Sequence, residues 1–348
     1  MKDLIKVLLT GASGTVGIEV LRQLVLQEDV KLTVFDKKTR RATKLFGPFN
    51  DRLNIIYGDL CNADDLKQIP DDIDVAIHLA AIIPPLADEN PGLTYQVNVE
   101  GTKRIIDLLE KKSPRVFLLY SSSISVYGDR LSNPYITVSD PLQPSDGDVY
   151  ARTKIEAEEL IQNSKLDWSI FRLTAIMKNH KISKLMFHMP LSTMLEICTP
   201  KNVAKAFVGA INRRDVLSRR IFNLGGGAEC CITYEKFLEK SFILFGLGVL
   251  NFPPFSFARR NFHCGILKDG DVLENILHFR SDTLDTYFAE TKRSISFFTR
   301  FGCTLFRVLI KKGLLRQSEP FKAFNTKDNL LLMHFFLKKD FPVYKQLE

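Results

Sequence analysis

The chain has 348 residues, 45% hydrophobic and 25% charged, which suits one large globular domain or two unequal ones and excludes a disordered or low-complexity chain. Its net charge of +8 is uneven: residues 241–348 hold 16 Lys or Arg against 10 Asp or Glu, and 17 of the 26 Phe. That charge comes without a nucleic-acid motif, so nucleic acid is set aside as a partner. The six cysteines (Cys61, Cys198, Cys230, Cys231, Cys264 and Cys303) show no C-x-x-C pair, so they read as reduced thiols of a cytoplasmic protein with no metal site.

The opening MKDLIKVLL is read as a first strand rather than a signal peptide, because Lys6 interrupts its apolar run and the run enters a glycine turn directly. Strands are expected at 4–9, 31–35, 53–57, 74–80, 115–121, 168–173 and 220–224, with helical patterns such as VGIEVLRQLVLQ and NVEGTKRIIDLLEKK between them. This alternation predicts an α/β fold, a doubly wound parallel sheet with a smaller C-terminal substrate region. Residues 1–177 plus about 199–225 are assigned to the dinucleotide-binding domain. Residues 178–198 and about 226–348, basic and Phe-rich, form the substrate-binding C-terminal region.

After the first strand stands LLTGASGTVG. Gly11 permits a tight turn, Gly14 lets the backbone approach a pyrophosphate, and Gly17 lets the next helix pack closely. That helix start offers free N–H groups to phosphate. Asp36, 19 residues after Gly17 at the end of the second strand, is placed to accept from both ribose hydroxyls of an adenosine. Lys37, Lys38, Arg40 and Arg41 follow and are candidates for a 2′-phosphate. The Asp36 carboxylate would repel that phosphate, so NAD is favoured over NADP. Further along, LLYSSSISVYG ends a strand in serines, and DVYARTK sets Tyr150 and Lys154 four apart on one helix face. An ammonium beside a phenol favours the phenolate, so Lys154 is expected to lower the Tyr150 pKa from ~10. Such a tyrosine can exchange a proton with a substrate C–OH or C=O.

These motifs, in this order, resemble the extended short-chain dehydrogenases/reductases of the NAD-dependent epimerase/dehydratase type, over about residues 4 to 225. The resemblance implies a phosphate turn in TGASGTVG, with Ser13, Thr15 and Val16 beside its three glycines. It implies an adenine contact at Asp59 and Leu60 in GDL, and a cofactor-lining strand end in HLAA with Leu79, Ala80 and Ala81. Asn98 supports the active site and the cofactor, Ser121 and Leu173 line the cofactor, and Ser123 is the catalytic serine. Tyr150 is the acid/base, and Lys154 also holds the nicotinamide ribose.

Departures from the family pattern narrow the chemistry. Leu173 replaces the proline of an Arg-Pro pair, and TPKNVAKA lacks an acidic residue found in the corresponding family segment. SSSIS has no carboxylate for dehydration, which argues against a dehydratase. The resulting expectation is an NAD(P)-dependent oxidoreductase acting on a secondary alcohol or ketone, sugar nucleotide or hydrophobic. The alternatives are an epimerase with tightly bound NAD and a non-catalytic cofactor-binding sensor or scaffold. A homodimer is left open as the oligomeric state.

Two C-terminal stretches stand out. Residues 241–258 carry no charge until Arg259, but Pro253, Pro254 and two glycines argue for a buried or substrate-facing segment over a spanning helix. In 293–311, Arg293, Ser296, Arg300, Thr304, Arg307 and Lys311 form a basic stripe on an expected helix that also carries Phe297, Phe298, Phe301, Leu305 and Leu309. That helix either packs on the domain or makes peripheral contact with a membrane surface.

Overall fold

Seven runs of aliphatic residues form a parallel sheet in the computed structural model, which describes residues 4–178, 182–260, 262–337 and 340. Residues 179–181, inside the expected substrate segment 178–198, lie outside the described residues. The strands are β1 (Ile5–Thr10), β2 (Val30–Asp36), β3 (Asn54–Tyr57), β4 (Val75–His78), β5 (Phe117–Ser123), β6 (Asp167–Leu173) and β7 (Arg220–Leu224). Their spatial order is β7-β6-β5-β4-β1-β2-β3, with every pairing parallel.

Both faces of the sheet are covered, which is why its strands read as continuous apolar runs. Alternate residues feed opposite layers. Val7 and Leu9 pack with Val34, Ile77 and Leu119 on one face, and Leu8 packs with Phe35, Ala76, Leu118 and Tyr120 on the other. The helices that matter to the site are α1 (Gly17–Leu24), α2 (Gly101–Lys112), α3 (Val149–Gln162) and α4 (Pro200–Ala210). Strand order reverses between β1 and β4, the place where open α/β sheets leave a ligand crevice.

The later residues attach at the carboxyl ends of the strands. Ala175–Ile176, Met194–Cys198 and Cys231–Thr233 make a three-stranded sheet, and Tyr135–Ile136 pairs with Ile266–Leu267. Glu196, buried between them, accepts from Leu267 N at 2.8 Å and Gly227 N at 2.9 Å. A second core is aromatic: Phe187 sits 5.2 Å from Phe252 and 5.0 Å from Phe257 between ring centroids. Much of the uncharged stretch 241–258 belongs here, with Phe242, Leu247, Phe257 and Ala258 buried, while Ile243 and Val249 stay exposed. The stretch is not one helix, because Gly246 (φ +80°) and Gly248 (φ +73°) turn the chain. No helix among the described residues is long and apolar enough to cross a membrane.

The single helix expected over 293–311 is replaced by three pieces. Arg293 lies in the last turn of a helix that ends at Ser294, α5 spans Phe297–Leu305 and α6 spans Arg307–Leu315. The break has a local cause: Ile295 is extended, and the Ser296 side chain accepts from Thr299 N, starting a new helix.

Candidate active site

The glycine turn closes the gap between β1 and α1 where only backbone fits. Gly11 has φ +72°, and a Cβ there would lie 2.6 Å from Ala80 N in the chain leaving β4. At Gly17 a Cβ would collide with the Gly11 carbonyl, so α1 starts directly against the turn. Gly14 and Thr15 are exposed, and among the described residues the Thr15 and Val16 N–H groups find no acceptor. Unpaired N–H groups at a helix start suit a phosphate. Beside the turn, the chain after β4 continues through Leu79, Ala80 and Ala81, with Leu79 N donating to Thr10 O at 3.3 Å.

Asp36 is already engaged. Its carboxylate accepts from Ser13 N at 2.7 Å, Ser13 Oγ at 3.1 Å and Lys37 N at 2.8 Å. Burial raises its pKa against the pull of those bonds. A carboxylate offers about four acceptor sites, so a ribose would share this group with the turn. Lys37 pairs with Asp59 at 2.8 Å. Burial works to raise the Asp59 pKa, but the Lys37 contact and the Cys61 N–H hold it below the usual range. Lys38 lies 5.9 Å above the Tyr57 ring, so of the four basic residues after Asp36, Lys37 and Lys38 are both partnered. Leu60 is buried near Gly101 at the start of α2.

Asn98 lies in a π-helical turn, Gln96–Glu100, just before α2. Its amide accepts from Ile82 N at 2.7 Å and donates to Ile82 O at 3.0 Å and Thr153 Oγ1 at 3.1 Å. It therefore ties the chain after β4 to α3. His78 is fully enclosed between Thr10 Oγ1 (2.7 Å) and Thr102 Oγ1 (3.0 Å). Burial, with nearby Lys154, pushes its pKa down to about 3, so the ring is neutral.

Ser123 ends β5, and Tyr150 stands in the first turn of α3, whose N-cap Asp148 accepts from Ala151 N at 2.8 Å. The Ser123 hydroxyl works to lower the Tyr150 pKa against burial, and Ser123 Oγ accepts from Ser125 N and Ser125 Oγ. Lys154, one helical turn on, is buried and donates to Ser121 O at 2.7 Å and Tyr120 OH at 3.2 Å. The expectation that Lys154 lowers the Tyr150 pKa does not hold in this state. Burial pushes Tyr150 up to about 12 and Lys154 down to about 7. Lys154 therefore loses its proton before Tyr150 does, and a neutral amine cannot stabilise a phenolate by charge. Its Nζ, 5.8 Å from the Tyr150 ring centroid, is spent on Tyr120 and the β5 carbonyl.

The sequence reading missed the polar lattice behind these residues. Ser122 Oγ donates to Glu158 at 2.5 Å, and Glu158 holds Arg172 through bonds of 3.0, 3.2 and 2.7 Å. Arg172 also donates to Tyr127 OH (2.8 Å), which donates to Asn223, and Asn223 donates to Asp269 (2.7 Å). This lattice ties β5, β6 and β7 to α3 and to the C-terminal region. Only the i, i+4 spacing of Lys154 and Glu158 on α3 hinted at it. Leu173 is buried at the end of β6. At the front, His263 faces Asp148 at 3.3 Å, bringing the C-terminal region to the start of α3. The structure thus brings Ser123, Tyr150, Lys154 and Asn98 together around the end of β5 and the start of α3, with the glycine turn and Asp36 at the ends of β1 and β2.

Residues 8–170 match the 3-beta hydroxysteroid dehydrogenase/isomerase family. Among curated relatives, the D-erythronate dehydrogenase of Haemophilus influenzae is 29% identical over 164 residues, 45% of this chain and 49% of that protein. The decarboxylating sterol-4-alpha-carboxylate 3-dehydrogenase of Mus musculus is 30% identical over 173 residues, 49% of this chain and 44% of that protein. The chain thus spans about half the length of the curated relatives it matches. Among solved structures, the dTDP-glucose 4,6-dehydratase DesIV of Streptomyces venezuelae, with NAD and TYD bound, superposes with a TM-score of 0.67 at 20% identity, covering 83% of this chain and 96% of that one. The UDP-N-acetylglucosamine 4-epimerase of Methanobrevibacter ruminantium gives 0.66 at 20% identity, covering 84% and 98%. At that identity the likeness establishes the fold alone.

Proposed function

We propose that the chain, whose residues 8–170 match the 3-beta hydroxysteroid dehydrogenase/isomerase family, is an extended short-chain dehydrogenase/reductase and an NAD-dependent oxidoreductase acting on a secondary alcohol or ketone. The observation that carries the reading is Ser123 at the end of β5 beside Tyr150 in the first turn of α3, together with unpaired N–H groups at the start of α1. Residues 1–177 with about 199–225 would hold the cofactor, and 178–198 with about 226–348 the substrate.

The residues present fit a dinucleotide. Gly11 to Gly17 would hold the pyrophosphate, with Ser13, Thr15 and Val16 contributing to that cradle. Asp36 would take the adenosine ribose with Lys37 beside it, and Asp59 and Leu60 the adenine. Leu79, Ala80, Ala81, Ser121 and Leu173 would line the groove, Asn98 would brace it, and Lys154 would hold the second ribose. Bound there, the nicotinamide supplies the two-electron exchange. Tyr150, a phenol at neutral pH because burial holds its pKa near 12, donates its proton to a carbonyl oxygen in the reducing direction. In the oxidising direction its phenolate takes the hydroxyl proton. Ser123 Oγ orients the same oxygen through both.

Of the substrate classes, the hydrophobic alcohol or ketone is favoured, because the matched family and the Mus musculus relative are named for steroid and sterol substrates. A cavity of about 750 Å³ in the C-terminal region mixes apolar Leu191, Leu250 and Phe252 with charged Glu235, Arg259 and Asp340. The placement proposed is cytoplasmic, with the C-terminal region in peripheral contact with a membrane.

The test is a screen of sterols, ketols and sugar nucleotides with NAD and NADP, following absorbance of the reduced cofactor. Tyr150→Phe should cut turnover by ~10²–10⁴-fold while cofactor affinity stays near wild type. Turnover within a factor of about two of wild type would remove Tyr150 from the mechanism. Substrate inverted with no accumulation of reduced cofactor would turn the reading to an epimerase.

A further inference from the structure

We propose that the outward face of α5 and α6 docks this chain on an anionic lipid bilayer. This deepens the peripheral placement proposed above by naming the face and the lipid charge, and it does not depend on the proposed chemistry.

The first observation is an inverted amphipathic helix. Phe297, Phe298, Phe301 and Leu305 share one face of α5 and are 76%, 83%, 59% and 65% exposed. The opposite side of α5 faces the protein through Cys303, which packs against the aromatic core, as does Ile310 of α6. A surface helix ordinarily turns its apolar stripe inward. Here the reverse arrangement is built in. α5 sits on the turn at Gly246, where a Cβ would lie 2.8 Å from the Arg300 carbonyl. Lys311 Nζ clamps α6 by donating to Val249 O and Asn251 Oδ1, both at 2.6 Å. The apolar face continues onto α6 through exposed Val308 and Leu309. A contiguous apolar surface of this kind marks a binding site rather than ordinary exposure.

The second observation is charge. From Arg293 to Ser318 the sequence holds six cations and no Asp or Glu. Of these, Arg293, Arg300, Arg307, Lys312 and Arg316 are exposed, and none has a carboxylate partner among the described residues. Cations interleaved with phenylalanines match a bilayer surface, with aromatic rings entering the acyl boundary and guanidinium groups at the headgroups. A second copy of this chain is the poorer occupant, because a symmetric contact would set these cations against one another.

Co-sedimentation of the full chain with phosphatidylcholine vesicles, with and without phosphatidylserine, tests this. The expected result is pelleting with phosphatidylserine vesicles at low salt, declining as salt is added. Two paired variants, Phe298→Ser with Phe301→Ser and Arg300→Glu with Arg307→Glu, should each lower partitioning by roughly tenfold or more. All of these side chains are exposed, so melting temperature and circular dichroism should stay at wild type. A chain that remains in the supernatant with phosphatidylserine vesicles at low salt overturns the proposal. So does binding that neither pair weakens, or a dimer in light scattering that the Phe pair dissociates. A chain that turns over substrate yet ignores vesicles loses the docking and keeps the chemistry.

Discussion

At the strand ends, Glu158 and Arg172 are almost wholly buried, and each charge is met by the other and by Ser122 and Tyr127. Along 293–316 the reverse holds: five cations face water without a carboxylate partner among the described residues, and the phenylalanines between them are exposed. The first region spends its polar groups on one another and so fixes positions. The second leaves both its charge and its apolar area for something outside the chain. A site that must hold Ser123, Tyr150 and Lys154 in register needs the first kind of construction, and a docking surface needs the second.

Breaking the strand-end lattice should give the largest effect. Arg172→Met leaves Glu158 buried without its cation, a loss worth ~3–5 kcal/mol when one partner of such a pair is removed. Chemical denaturation should show it as a lowered midpoint, and catalytic output should fall with it because β5 and α3 both lose their tie. Phe298→Ser, on the other surface, should leave stability within about 0.5 kcal/mol of wild type. Comparable losses from the two substitutions would erase the distinction between the regions.

What the sequence disclosed follows the same division. The strands expected at 4–9, 31–35, 168–173 and 220–224 fall within a residue of β1, β2, β6 and β7, because buried parallel strands need unbroken aliphatic runs. Gly11 and Gly17 were legible because a side chain at either would strike backbone. Contacts across the chain were not. The Asp36–Ser13 bonds join residues 23 apart, and Asn98 reaches Ile82 and Thr153 only because a π-helical turn aims it. Tyr150 and Lys154 were found by spacing, but spacing carries no information about burial, which reverses the expected pKa argument. Over 293–311 the pattern separated a basic stripe from the phenylalanines and could not say which of them turned toward the protein. Periodicity fixes a face relative to the helix axis and leaves open the side on which the protein lies.

Asp36 stands between the two extremes, bonded to the turn and only partly exposed. Asp36→Ala should weaken NAD binding by roughly tenfold to a hundredfold, the worth of hydrogen bonds to a charged group. Part of that loss would come from a loosened turn, since Ser13 N also loses its acceptor. Removing the carboxylate should also shift preference toward NADP, with Lys38, Arg40 and Lys44 around the adjacent hollow. Titration of both cofactors by intrinsic fluorescence checks it. A wild-type chain that already prefers NADP would remove the assigned role of Asp36.

A further expected effect concerns Lys154, a buried cation at the strand ends with no direct carboxylate bond among the described residues. Lys154 donates only to Tyr120 and a carbonyl, and burial lowers its pKa to about 7, against ~10.4 for an unfolded lysine. Between those values the unfolded chain binds a proton that the folded chain does not, so stability rises with pH across the window. The contribution is full above the unfolded value and is lost as pH falls toward 7. The neighbouring His78 (about 3) and Tyr150 (about 12) do not titrate inside the window. Lys154→Met abolishes the proton exchange and retains most of the volume. The difference in unfolding free energy, wild type minus Lys154→Met, should therefore increase from pH 7 to 10 in the cofactor-free protein. Its slope should be at most ~1.4 kcal/mol per pH unit. A difference that stays flat would mean that Lys154 remains an ammonium in the folded chain, and would restore the means by which it could lower the Tyr150 pKa.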